Sequence, residues 1–116
     1  MTGTWHALLP EADFPAEGRH LAVVAGWHVF VARGDDGLHA VNDRCTHQAA
    51  ALSGGRVRRG TLMCPLHGAR FELASGKCLG AAYPPLRVFP LRVTDGMIEV
   101  ELPGHPPGMD ELPISM

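Results

Sequence analysis

A chain of 116 residues, 46% hydrophobic and 19% charged, has the size and composition of one ordinary globular domain. Its most apolar stretch, residues 21–32, is 12 long and interrupted by Gly26 and His28, short of the roughly 18 residues that a membrane helix needs. A net charge of -2 gives no ground for nucleic-acid binding, and three cysteines, an odd number, speak against a disulfide framework and leave metal binding or packing. The first basic residue is Arg19 and no apolar leader segment precedes it, so a cytoplasmic protein without a membrane anchor is expected.

With 14 Gly and 10 Pro the chain is punctuated too often for long helices, and an all-β fold is expected. Residues 4–9 alternate weakly, residues 20–25 are valine-rich, and residues 27–32 (WHVFVA) form a β-branched and aromatic run. Asp35-Asp36-Gly37 then reads as a hairpin turn into residues 38–41. Residues 60–63 and 69–73 have the composition of short strands, with Ala74-Ser75-Gly76 as a turn. Further on, residues 86–94 and 97–102 flank Thr94-Asp95-Gly96, a second Asp-Gly hairpin. The two hairpins read as halves of one antiparallel body, with a loop-rich insertion over about residues 43–85 that holds all three cysteines. Residues 103–116 contain four prolines in 14 positions and no periodicity, the pattern of an extended arm.

Charge is unevenly distributed along the chain. Residues 1–43 sum to -4 and residues 93–116 to -5, whereas residues 44–92 hold eight basic side chains against Glu72 alone, a net of +7. The middle segment therefore reads either as a surface neutralised on folding or as a basic docking face for an acidic partner, with Arg56, Arg58 and Arg59 as its densest run.

The chemistry-bearing motifs lie in that segment: Cys45-Thr46-His47 and Cys64-Pro65-Leu66-His67-Gly68, together C-x-H-x16-C-x-x-H. Each loop offers one thiolate and one imidazole, so each is able to bridge two adjacent metal ions. Two Cys on one iron and two His on the other is the ligand set of a Rieske 2Fe-2S centre. A structural zinc site is the competing reading of a Cys2His2 set, but zinc sites group like ligands, whereas here Cys and His alternate. With Gly68, Phe71, Gly76 and Gly80 before Pro84-Pro85-Leu86, the chain from Trp5 to Leu102 resembles the Rieske-type ferredoxins of bacterial multicomponent oxygenases.

That resemblance implies a Rieske-like antiparallel β-sandwich or barrel with an inserted cluster-binding subdomain. The expected layout is a single domain over 1–116: a base from 1–42 and 86–102, a cluster-binding part over about 43–85, and the tail 103–116. It implies one 2Fe-2S cluster per chain, with Cys45 and Cys64 on the inner iron and His47 and His67 on the outer iron as the electron port. It implies a monomeric carrier with no catalytic residue, moving electrons from an NAD(P)H-dependent flavoprotein reductase to a terminal oxygenase that hydroxylates aromatic rings in aromatic hydrocarbon catabolism. The alternative reading is the small Rieske-like subunit of an assimilatory nitrite reductase. High-potential relatives carry an extra Cys in each loop and a serine after the second His-Gly; here those positions are Ala50, Leu66 and Ala69, so a low potential is expected. Gln48 stands where many such ferredoxins have glycine. The prolines at 84 and 85 resemble the loop that shields the cluster. Cys78 reads as a small buried hydrophobe, Trp5 and Trp27 as core, and His28 and His39 as solvent-facing strand residues.

Overall fold

Frequent glycine and proline limit the chain to short strands joined by tight turns. The computed structural model describes residues 3–46, 49–65, 68–80 and 82–113. Among them the strands are β1 (Thr4–Pro10), β2 (Arg19–Val24), β3 (Trp27–Gly34), β4 (Gly37–Asn42), β5 (Arg56–Arg58), β6 (Thr61–Met63), β7 (Arg70–Glu72), β8 (Cys78–Leu79), β9 (Val88–Phe89), β10 (Leu91–Thr94) and β11 (Met97–Leu102). Single 3-10 turns cover Glu11–Asp13 and Met109–Glu111. No helix among the described residues is long and apolar enough to cross a membrane.

The strands form three antiparallel sheets, ordered β1-β11-β10, β2-β3-β4-β9 and β5-β6-β7-β8. Among the described residues four hairpins close with two-residue turns; in three of them, Ala25-Gly26, Arg59-Gly60 and Asp95-Gly96, both turn residues have positive φ, the type I′ geometry that matches strand twist, whereas the fourth turns at Asp35-Asp36. The nearly all-β architecture is the one the composition predicts.

β3 explains how the molecule is layered. Its run from Trp27 to Ala32 is apolar on both faces except at His28 because the β2-β3-β4-β9 sheet lies between two cores. One face, with Trp27, Val29 and Val31 and Ala40 of β4, packs with Phe14, Phe89, Ile98, Val100 and Leu102. The other, with Phe30, Ala32 and Val41, packs with Leu52, Leu62, Phe71, Leu73, Leu86 and all three cysteines. Each large side chain fully withdrawn from water is worth about 1.5–3 kcal/mol, so the second core ties the insertion to the base.

Three expectations change. The single strand over residues 86–94 is two, β9 and β10, which belong to different sheets. Pro90 lies between them; lacking an N–H, it ends one ladder and lets the chain cross to the next sheet. β5 was not anticipated, because only Val57 of its three residues is apolar. Trp5 is not core: it is half-buried in β1, with the Arg92 guanidinium 4.0 Å from its ring centroid. Trp27, by contrast, is fully buried, and its indole N–H donates to the His105 carbonyl at 3.2 Å.

The arm from Pro103 onward is laid along the molecule. Asn42 Nδ2 donates to the Glu111 carbonyl (2.9 Å), Arg44 Nε to the Leu112 carbonyl (3.2 Å), and Arg87 Nε pairs with the Glu111 carboxylate at 2.6 Å.

Candidate metal centre

β4 runs directly into the first cysteine loop. Asp43, 1% exposed, donates its backbone N–H to His28, and its two carboxylate oxygens accept from the backbone N–H (2.6 Å) and hydroxyl (2.8 Å) of Ser53. This clasp joins the two ends of the loop around Cys45. The second loop leaves β6 at Cys64 and returns into β7.

The two loops share one backbone pattern. Cys45 N–H donates to the Ala50 carbonyl at 2.8 Å and Cys64 N–H to that of Ala69 at 2.7 Å, each five residues on. Ala49 N–H returns to the Cys45 carbonyl and Gly68 N–H to that of Cys64, each four residues on. Ala49 and Gly68, at equivalent positions, both have positive φ, 60° and 72°. Glycine meets that requirement freely in the second loop, whereas alanine pays about 1 kcal/mol in the first. These matched turns hold each cysteine inward.

Both thiols are buried, Cys45 fully and Cys64 at 2% exposure, in the apolar core beneath the loops. Of the four donors expected from the sequence, these two are therefore brought to one core; His47 and His67, with Gln48 and Leu66, lie outside the described residues. Cys78 is in the same core, opposite Phe71 on the adjacent strand, as the packing residue it reads as. Elsewhere among the described residues no group of three or more His, Cys, Asp and Glu side chains is placed to hold a metal.

The proline loop closes a third side. Thr46 Oγ1 donates to the Pro84 carbonyl at 2.6 Å, binding that loop to the first cysteine loop. At its other end Leu86 N–H donates to Gly76, whose φ of 78° and closeness to the Leu86 carbonyl leave no room for a side chain: a Cβ there would lie 2.3 Å from that oxygen. The Asp43–Ser53 clasp and the Thr46–Pro84 bond both escaped the sequence reading, because each joins residues that no local spacing rule relates.

A small antiparallel-β metalloprotein with paired cysteine loops on one end is the class that fold and site define. The model of the Rieske [2Fe-2S] domain matches residues 4–90. The anthranilate 1,2-dioxygenase ferredoxin subunit of Burkholderia cepacia is 39% identical over 101 residues, 84% of this chain and 92% of that one. Among solved structures, the ferredoxin of carbazole 1,9a-dioxygenase from Nocardioides aromaticivorans IC177 superimposes with a TM-score of 0.76 at 25% identity, covering 84% of this chain and 97% of that one. A chain from the complex of reduced oxygenase and oxidized ferredoxin in carbazole 1,9a-dioxygenase gives a TM-score of 0.76 at 28% identity, over 89% of this chain and 95% of that one. The chain belongs to the Rieske [2Fe-2S] family, and it is an electron carrier, not an oxygenase.

Its cofactor is the Rieske 2Fe-2S cluster, and the site fits one: two inward thiols on equivalent turns suit the all-cysteine side of a mixed-ligand cluster. When bound, the cluster takes up and releases one electron at a potential of about -150 to +300 mV, against about -400 mV for all-cysteine plant-type clusters. The protein supplies the rest. The loop braces hold the thiols in a buried apolar core, and the proline loop is bonded to the first cysteine loop beside them.

Proposed function

We propose that this chain is the ferredoxin of a ring-hydroxylating oxygenase system. It receives single electrons from an NAD(P)H-dependent flavoprotein reductase and delivers them, as a cytoplasmic monomer, to the terminal oxygenase. Cys45 and Cys64 hold the inner iron, and His47 and His67 hold the outer iron and present their free ring nitrogens as the electron port. Residues 43–85 act as the cluster-binding part on a base formed by 1–42 and 86–102. The observation that supports the ligand assignment is the matched pair of turns at 45–50 and 64–69, which gives Cys45 and Cys64 equivalent stations; His47 and His67 are assigned from their place in the C-x-H and C-x-x-H motifs. The likeness to dioxygenase ferredoxins over nearly their whole length supports the place in the electron chain.

The test is spectroscopic. Cys45→Ser and His67→Ala should each abolish the rhombic EPR signal of the reduced protein, whereas Cys78→Ser should keep it. Survival of the signal in either of the first two variants contradicts the ligand set.

A further inference from the structure

The ten basic side chains divide into two groups of opposite character. Five are engaged. Arg19 donates to the Gly55 carbonyl and covers Phe30, Arg33 covers Phe14, Arg44 donates to Leu112, Arg87 pairs with Glu111, and Arg92 pairs with Glu99. The other five, Arg56, Arg58, Arg59, Arg70 and Lys77, are exposed, and their charged groups make no ion pair or hydrogen bond among the described residues. All five belong to the β5-β6-β7-β8 sheet and its turns. The basic side chains whose charged groups make no ion pair, hydrogen bond or aromatic contact among the described residues are thus confined to the sheet that carries the second cysteine loop.

Register divides this face further. Val57, Leu62, Phe71 and Cys78 pair across the sheet and point into the core, so the outward rows are Arg56–Met63–Arg70–Leu79 and Arg58–Thr61–Glu72. The first row adjoins the metal centre. Met63 precedes Cys64, its Sδ would be 3.9 Å from a Cβ on Gly68, and Arg70 Nη2 would be 3.1 Å from one on Gly80, where the proline loop begins. Arg56, Met63, Cys64, Pro65 and Gly68 line one open groove of about 450 Å³. The second row includes Glu72 and runs to the Arg59-Gly60 turn, at the far end of the hairpin from the cysteine loop. On the opposite side of the centre the tail has already answered the positive charge: Asp110 and Glu111 line the groove shared with Arg44, Thr46 and Arg87.

We propose that the Arg56–Met63–Arg70 row is the docking surface for the electron partner, a protein that rings its own redox centre with Asp and Glu side chains. An exposed methionine between two unpaired arginines has the composition that interface centres favour, and it lies against the loop from which the electron leaves. Arg58 and Arg59, though denser in the sequence, steer from too far to orient the contact. This inference rests on the electron-carrier reading above.

Inorganic oxidants test it without the natural partner. Stopped-flow oxidation of the reduced holoprotein by hexacyanoferrate(III) moves one electron from the cluster to the anionic complex, leaving hexacyanoferrate(II); tris(phenanthroline)cobalt(III) is the cationic control. The anion should react faster as ionic strength falls, and the Arg56→Gln/Arg70→Gln double variant should lose about tenfold at low salt. Arg58→Gln/Arg59→Gln should lose less than about twofold, and oxidation by the cobalt complex should not slow in either variant. Calorimetric binding of polyglutamate should weaken in the first variant only. Equal losses in the two variants, or rates indifferent to salt, overturn the docking surface. A holoprotein that dithionite does not reduce overturns the carrier reading itself, and this is seen before any oxidant is mixed.

Discussion

Asp43 is the residue on which the first cysteine loop depends most. Its carboxylate is buried and both oxygens are used by Ser53, so Asp43→Asn turns one acceptor into a donor facing a donor. That change should cost about 1–3 kcal/mol, whereas Ser53→Ala removes a single hydroxyl contact at about 0.5–1.5 kcal/mol. Urea unfolding of the holoprotein would measure both, and equal effects would show that the clasp works by packing alone. An exposed carboxylate behaves differently. Asp36 is held below its ordinary value of 3.8, chiefly by its hydrogen bond with His39. Since the folded value is the depressed one, the contribution is present above about pH 4 and is lost as pH falls through the folded value. An NMR titration should find the Asp36 carboxyl moved upward in His39→Ala; an unmoved carboxyl contradicts the pairing. That Cys45 and Cys64 belong together was legible from the sequence because Cys and His at two- and three-residue spacing form a local pattern. Asp43 with Ser53 was not, because a clasp across ten residues has no spacing signature and becomes visible only when the loop closes.

At the scale of elements, one side-chain hydrogen bond ties the proline loop to the first cysteine loop, and several tie the tail to the strands beneath it. Gly76→Ala should push the Leu86 carbonyl away and loosen the proline loop, since a Cβ would lie 2.3 Å from that oxygen at a φ that already disfavours side chains. The measurable outcome is faster bleaching of the visible cluster bands in air than in the parent protein; an unchanged rate would mean that this loop does not shield the centre. Removing the metal should likewise be felt locally. Amide exchange ought to rise in residues 43–85 far more than in β1, β10 and β11, whose core with Trp27, Ile98 and Val100 contains no ligand. Truncation after Leu102 should red-shift the emission of Trp27 and destabilise the chain by at least about 1 kcal/mol, as the buried indole loses its acceptor. The Asp95-Gly96 turn was legible because positive φ is a local demand, and the hairpin at 35–37 was legible too, although its turn is Asp35-Asp36 and Gly37 opens β4. The division of residues 86–94 between two sheets was not: their apolar pattern continues through Pro90, and only tertiary packing decides which ladder each half joins.

For the molecule as a whole, folding converts an uneven linear charge into a directional one. The +7 of residues 44–92 is answered by the acidic tail on one side of the centre and left open on the other. Composition alone showed the imbalance, but which arginines stay unpaired depends on register, and Arg70 was invisible as a partner of Arg56 until β5, β6 and β7 were aligned. The same two-sided burial that makes β3 a continuous apolar run places the metal core directly against the base. Ala50 and Ala69 stand where high-potential relatives are expected to brace the loops or donate to cluster sulfur, so a potential low in its class is predicted. The central claim is one-electron carriage by a mixed Cys–His cluster, and a potentiometric titration of the holoprotein followed by EPR tests it most directly. The account predicts a rhombic signal that appears with one-electron Nernst behaviour and a midpoint near the lower end of the roughly -150 to +300 mV range. A protein with no such signal, or with a midpoint above about +100 mV, would contradict it.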